Sequence, residues 1–310
     1  MVVIFFLTIT FIVFALSLPD ASSSQAQAGA AAMALAVPKT APVFASVDLV
    51  AKGAYVLDLK TGTVLFTKNP NVQLSLASLT KVPLALVVAE VLSEQTAVTV
   101  PFGVPSNISL APFQKGDIWR VRDMLDYTLA ASSNGGAEIL ASAANPFLID
   151  RYPQSGESGS EKATLWRMNN LAESLGLAHT YFLNTSGLDL SATQSGAYGS
   201  ARDMAILFAY AATNNAQLFR STTEDNAIYT SANGKKIYGA NTDEAVGAIP
   251  GLIMGKTGFT DLAGGNLAVV FDIAPEHPVV AVVLGSTVDG RFADIKKLVT
   301  AAQATVAPEK

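Results

Sequence analysis

Leu76-Ala77-Ser78-Leu79-Thr80-Lys81 opens an apolar run, Leu79 to Leu92, and sets a hydroxyl three residues before an amine. In a helix, positions i and i+3 share a face, so the Lys81 side chain reaches the Ser78 oxygen within one turn. A serine hydroxyl is a poor nucleophile until something takes its proton, and a lysine does so only if its pKa falls well below ~10.4. S-x-x-K recurs by chance about once in a chain of this length, so a capped helix with a solvated lysine stays open as the other reading. Pro83 falls in the first turns of the run. It removes a backbone bond and crowds the carbonyl four residues earlier, which predicts a tight or bent turn around Ser78. A helix N-terminus there also aims amide donors at the nucleophile.

Working outward, Gly53 to Asp58 and Thr63 to Thr67 read as a hairpin bending at Lys60-Thr61-Gly62. Glu94 to Phe113 is broken by Pro101, Pro105 and Pro112 and reads as irregular, and Asp117 to Tyr127 as an amphipathic helix. Leu129-Ala130-Ala131-Ser132-Ser133-Asn134-Gly135-Gly136-Ala137 has two readings, a loop presenting polar groups to a cleft or a helix C-cap followed by an N-cap. Asp150 to Lys162 is polar and reads as an exposed loop. Leu165 to Leu175 and Ser200 to Thr213 read as helices, and Thr180 to Leu188 as extended chain turning at Asn184-Thr185-Ser186-Gly187. Ala248 to Lys256, Leu267 to Ile273 and Val279 to Gly285 have strand character, the last two joined through Pro275-Glu276-His277-Pro278, and Phe292 to Ala302 closes as a helix. Strands at both ends and helices between them predict an α/β (α+β) fold, with an antiparallel sheet built from both chain ends and a mostly helical region, about 78–215, inserted between.

Composition narrows the chemistry. Half of the 310 residues are hydrophobic and 15% are charged, enough for a large buried core. The net charge of -5, with no basic cluster among aromatics, argues against nucleic acid as a partner. The absence of cysteine removes disulfides, thiolate catalysis and Cys-based metal sites. His179 and His277 are the only histidines, and their spacing supports neither a zinc peptidase nor a Ser-His-Asp triad. No metal or cofactor is expected. Val2 to Leu18 is apolar but for Thr8, Thr10 and Ser17, and no Lys or Arg precedes it. Residues 1–18 are expected to be a signal peptide or membrane anchor, 19–45 a linker, and 46–310 the working domain. That places the protein outside the cytoplasmic membrane, with membrane contact through the N-terminal segment.

Lys-Thr-Gly occurs twice. The copy at 60–62 is only a turn, whereas Lys256-Thr257-Gly258 follows a strand and precedes Phe259-Thr260-Asp261-Leu262-Ala263-Gly264-Gly265-Asn266, a Gly-rich stretch suited to an edge facing a cleft. S-x-x-K, S-x-N and K-T-G in this order mark penicillin-binding proteins and class A β-lactamases. The sequence resembles the low-molecular-mass penicillin-binding proteins, the serine-type D-alanyl-D-alanine carboxypeptidases, over about residues 50 to 305. Beyond the motifs, the resemblance is carried by Asp58 to Leu65, Met168-Asn169, Leu175-Gly176-Leu177, Thr180 to Asp189, Ser200 to Ala205 and Lys256 to Asp261. Two departures stand out: Gly135 occupies the position where the family usually has Asp, and the separate C-terminal β-domain of many relatives is not expected here.

The resemblance implies a penicillin-binding-protein and β-lactamase-like fold and a serine acyl-enzyme mechanism on peptidoglycan stem peptides. Ser78 would attack the carbonyl between two terminal D-alanines, Lys81 would accept its proton, and Ser132 would relay it to the leaving amine. Asn134 would hold Lys81 and the substrate amide. Lys256 and Thr257, with Gly258 in their motif, would bind the terminal carboxylate, and the amides of Ser78 and Phe259 would form the oxyanion hole. β-Lactams would be covalent inhibitors. The alternatives are an endopeptidase cutting cross-links and a wall-binding protein that no longer turns over, which Gly135 keeps open. A β-lactamase is disfavoured because no Glu-x-x-Leu-Asn lies between Asn134 and Lys256.

Overall fold

The structure, a computed structural model, describes residues 42–101, 109–157 and 159–306. The expected leader at 1–18 and most of the expected linker lie outside the described residues. Among the described residues, no helix is long and apolar enough to cross a membrane.

In chain order the elements are β1 Gly53–Asp58, β2 Val64–Lys68, β3 Leu74–Ser75, α1 Lys81–Val91, β4 Ala97–Thr99, β5 Ile118–Arg120, α2 Val121–Ala130 and α3 Asn134–Arg151. There follow α4 Ala163–Ser174, β6 Tyr181–Phe182, β7 Ala197–Gly199, α5 Ala201–Asn215, β8 Asn226–Thr230, β9 Lys236–Ala240, β10 Leu252–Thr260, β11 Gly264–Asp272, β12 Pro278–Ser286 and α6 Gly290–Ala304. The main sheet has five antiparallel strands in the order β10-β11-β12-β1-β2. Both ends of the chain therefore build one sheet, as expected.

Its inner strands are nearly unbroken Val, Ala and Leu because both faces are covered. Tyr55, Leu57, Val270, Val280 and Val282 belong to one core, shared with Met204, Ala205 and Phe208 of α5 and with Leu79 and Val82 at the S-x-x-K turn. Val56, Val269, Phe271, Ala281 and Val283 belong to the other, with Ile295, Leu298 and Val299 of α6. Phe44, inside the span expected to be linker, is buried in this second core and stacks on Phe66 with centroids 5.6 Å apart. Folded structure thus already includes Pro42 to Phe44. At 25 cal/mol per Å² of apolar area, each such fully buried side chain contributes on the order of 2 kcal/mol.

The chain leaves the sheet after Lys68 and re-enters it at Leu252, so the insertion extends past α5 to take in the β8–β9 hairpin. Two local expectations are corrected. Glu94 to Phe113, read as irregular, contains β4, and the start of the expected helix at Asp117 is β5, which pairs with it from Ala97↔Arg120 to Thr99↔Ile118. Tertiary burial decides this: the Trp119 side chain is fully enclosed and meets Phe113 edge-on. Within the polar stretch read as a loop, α3 runs on to Arg151 and two short 3-10 turns form, Pro153–Gly156 and Ser160–Lys162.

Candidate active site

Three chain segments from different elements converge on Ser78. The first is its own turn. Ala77–Thr80 is a 3-10 turn that runs into α1, the tightened start predicted from Pro83. Ala77 is buried with φ +48°, a left-handed conformation that an L-alanine adopts only under constraint. The constraint is visible: Thr80 Oγ1 donates to the Ala77 carbonyl (2.7 Å), and the backbone of Gly187 presses on the same carbonyl so closely that no Cβ could stand there. The turn Asn184–Gly187 therefore braces the turn that carries Ser78.

The second segment is the α2–α3 connection. Ala131 ends α2, and Ser133 caps α3 by accepting the amide of Gly136 (3.1 Å). Between these two caps Ser132 has φ +57°. Both readings of the stretch thus hold together: a C-cap and an N-cap leave Ser132 and Asn134 as the groups turned to the cleft. The third segment is β10, the sheet edge. Gly258 faces the Ser78 turn, where a Cβ would stand 2.8 Å from the Leu76 carbonyl and 3.2 Å from the Ser78 nitrogen. Opposite Gly258 in register, Asn266 of β11 donates to the Ser75 carbonyl (2.9 Å) and accepts the Gly285 amide (2.8 Å).

The Lys81 nitrogen is fully buried and lies 2.7 Å from Ser78 Oγ, 2.8 Å from Asn134 Oδ1 and 2.8 Å from the Ser186 carbonyl. Burial, and the nearby cation Lys256, hold this amine well below the usual lysine range, while Glu138 pulls weakly the other way. Two of the three neighbours can only accept. A neutral amine offers two N–H donors and one lone pair, so donation to Asn134 and Ser186 leaves the lone pair directed at the Ser78 hydroxyl. That is the arrangement a general base needs before attack.

Lys256 is 2% exposed and donates to Ser132 Oγ (2.9 Å) and to the Thr257 carbonyl (3.0 Å). Burial pushes its pKa down to about 7, against the attraction of Asp243, with Arg291 adding to the depression. Thr257 is buried and its hydroxyl bonds to Thr242 Oγ1. Phe259, 49% exposed, forms the outer rim. Every residue singled out from sequence, Ser78, Lys81, Ser132, Asn134, Lys256, Thr257, Gly258 and Phe259, is on one of these three segments. The histidines are elsewhere: His277 Nε2 bonds Asp58 Oδ2 (2.9 Å), and the His179 amide donates to Asp203 (2.8 Å). Among the described residues no cluster of His, Cys, Asp and Glu could hold a metal ion.

Sequence reasoning passed over several participants. Ser186 acts through its carbonyl, for which no residue type is a signal. Glu138 lies one turn beyond Asn134 on α3 and accepts the Thr185 hydroxyl (2.7 Å), tethering the bracing turn. Gly135, where the resemblance expects Asp, has the Ser109 carbonyl 2.6 Å and Leu110 Cα 2.8 Å from any Cβ, so the 109–110 backbone occupies that space. A hollow of about 350 Å³ lies beside it, walled by Ser109, Ala111, Tyr127, Ser133, Asn134 and Leu188.

The profile of the D-alanyl-D-alanine carboxypeptidase family, peptidase S11, matches residues 38–288. The D-alanyl-D-alanine carboxypeptidase DacF of Bacillus subtilis is 33% identical over 224 residues, 68% of this chain and 51% of that one, so the chain spans about half the length of this relative. A D-alanyl-D-alanine endopeptidase of Escherichia coli is 31% identical over 283 residues, covering 86% of this chain and 82% of its own. Penicillin-binding protein D2 of Listeria monocytogenes, in its ampicillin-bound crystal form, superposes with a TM-score of 0.68 at 27% identity, covering 83% of this chain and 98% of its own. The fold is thus that of penicillin-binding proteins, and the chain belongs to the D-alanyl-D-alanine carboxypeptidase family.

Proposed function

We propose that the protein is a serine D-alanyl-D-alanine carboxypeptidase that trims peptidoglycan stem peptides and is acylated by β-lactams. One observation carries this reading: the buried Lys81 amine, held by two acceptors, turns its remaining valence to Ser78 Oγ at 2.7 Å. Ser78 attacks the carbonyl of the penultimate D-alanine, and Lys81 takes the hydroxyl proton. The tetrahedral oxyanion lies against the amides of Ser78 and Phe259, whose segments meet at Gly258; one such donor is typically worth about 3 kcal/mol. As the C–N bond breaks, the proton that Lys81 took passes through Ser132, which Lys256 holds, to the leaving amine, and Lys81 is again a neutral base. The terminal carboxylate is bound by Lys256 and Thr257, so a C-terminal residue is released in preference to cutting an internal bond. Water, deprotonated by Lys81, then attacks the Ser78 ester, and the proton passes from Lys81 to the departing Ser78 oxygen.

Ser78→Ala should abolish covalent labelling by a fluorescent penicillin and release of D-alanine, and mass spectrometry of the labelled wild type should place the adduct on the peptide containing Ser78. Labelling that survives the substitution would dismiss Ser78 as nucleophile.

The second reading, cleavage of cross-links, is favoured by the likeness to the Escherichia coli endopeptidase over most of both chains. Comparing D-alanine release from a pentapeptide with cleavage of a cross-linked dimer separates the two. The stem peptide and the β-lactams are the partners this reading requires. We place the protein outside the cytoplasmic membrane, on the strength of the apolar stretch Val2 to Leu18.

A further inference from the structure

Behind the edge strand β10 lies a buried group of charges that does not touch Ser78. Asp243 is 4% exposed and Arg291 7%. Asp243 Oδ1 accepts the Ala245 amide (2.9 Å), but Oδ2 is enclosed without a hydrogen-bond partner. Arg291 donates from Nη1 to the Gly258 carbonyl (3.1 Å), while its Nε is likewise enclosed and unpaired. A buried carboxylate oxygen with no donor costs roughly 1–3 kcal/mol or more, so its presence calls for an electrostatic return.

The carboxylate is held against one stretch of strand. Its Oδ2 lies 3.2 Å from the place where a Cβ on Gly255 would stand, so the glycine before Lys256 is what admits it. On one side Thr242 bonds Thr257. On the other, the Asp243 amide donates to Asn241 Oδ1 (2.9 Å), Asn241 Nδ2 donates to the Thr222 carbonyl (2.9 Å), and Thr222 Oγ1 accepts the Gly255 amide (3.0 Å). The loop 241–243 is thereby fastened to β10 at the Thr257 hydroxyl and, through Thr222, at the Gly255 amide. Burial raises the Asp243 carboxyl above its ordinary range, while the Ala245 amide and the cations Lys256 of β10 and Arg291 and Lys296 of α6 favour its charged form. Glu244 and Asp289 act on Arg291.

We propose that Asp243 is a positioning residue for substrate binding: a buried counter-charge that holds Lys256 as an ammonium so that it can take the substrate's carboxylate. The inference rests on the reading of Lys256 and Thr257 as the carboxylate site. Arg291, whose Nη1 donates to the Gly258 carbonyl, acts on Asp243 as a nearby charge. Of the charges acting on Lys256, Asp243 is the one that opposes the effect of burial.

Asp243→Asn keeps the shape and the acceptor for Ala245 and removes only the charge. The measurement is kcat and KM for D-alanine release from a D-alanyl-D-alanine peptide, and the second-order rate of acylation by a penicillin, each from pH 5 to 9. If the carboxylate is worth about one pKa unit to Lys256, KM should rise roughly fivefold at pH 7 and nearly tenfold at pH 8, and return to the wild-type value at pH 5. kcat should stay within about twofold, and the basic limb of kcat/KM should move to lower pH by about one unit. A purely structural part for Asp243 would lower activity evenly across pH with the limb unmoved, and that result overturns the proposal. Gly255→Ala, which displaces the carboxylate without removing it, should move the limb the same way by less, and supplies the answer if the first variant folds poorly. Wild-type protein that neither releases D-alanine nor reacts with penicillin would instead overturn the proposed function.

Discussion

At the scale of single residues, the site depends on two lysines buried within one cleft, in both of which burial disfavours the ammonium form. Burial first, and after it the nearby cation Lys256, hold the Lys81 amine well below the usual lysine range. Burial pushes the pKa of Lys256 down to about 7. kcat/KM for D-alanine release should therefore fall as pH rises through about 7, because deprotonation removes the charge that receives the carboxylate. In the complex the bound carboxylate favours the ammonium, so the corresponding limb of kcat should lie at higher pH. Coincident limbs would take Lys256 out of carboxylate binding. Gly135 makes a separate prediction. Restoring the family's residue with Gly135→Asp drives a Cβ into the Ser109 carbonyl and Leu110, and should cost about 1–3 kcal/mol of stability in urea denaturation. An unchanged midpoint would show that the 109–110 backbone yields freely.

At the scale of elements, Ser78 is positioned as much by the sheet as by its helix. β11 is inner in the sheet, yet through Asn266 it holds both the Ser75 carbonyl before the nucleophile and the Gly285 amide of β12. Asn266 is fully buried, so Asn266→Ala leaves two backbone groups unpaired and should cost roughly 2–4 kcal/mol. It should also slow penicillin acylation below the melting temperature, because the Ser78 turn loses its tie to the strand that carries Lys256. Stopped-flow labelling checks this, and a variant less stable but equally fast would confine Asn266 to stability. The α2–α3 connection works in the same way. Its two caps are local hydrogen bonds, and Ser132 lies between them at a positive φ.

At the scale of the whole molecule, the cleft exists because the sheet is closed from both ends of the chain around a long insertion. The first and last described segments are locked by Asp294 of α6, buried, which accepts the amides of Val50 (3.0 Å) and Ala51 (2.8 Å) and the Ser286 hydroxyl (2.9 Å). The export proposed for this protein belongs at this scale too: a chain deleted for residues 1–18 should fold, label with penicillin in extracts and remain in the cytoplasm, as fractionation would show. Its appearance outside the cell would refute the assignment of that stretch. What the sequence by itself determined was what depends on near neighbours and on composition. The apolar runs that became β11 and β12, the helical stretch that became α5, the tight turn ahead of α1 and the S-x-x-K face were legible because a helix turn or a strand pleat fixes them within a few residues. The β8–β9 hairpin and the β4–β5 pair went unread, since short strands carry little periodicity and burial of Trp119 outweighs it. Only the tertiary structure decided that the Ser186 carbonyl holds Lys81, that Asn266 ties the nucleophile to the sheet, and that Asp243 stands behind Lys256. Those contacts join positions far apart in the chain through backbone atoms and buried charge, and neither leaves a local mark in sequence.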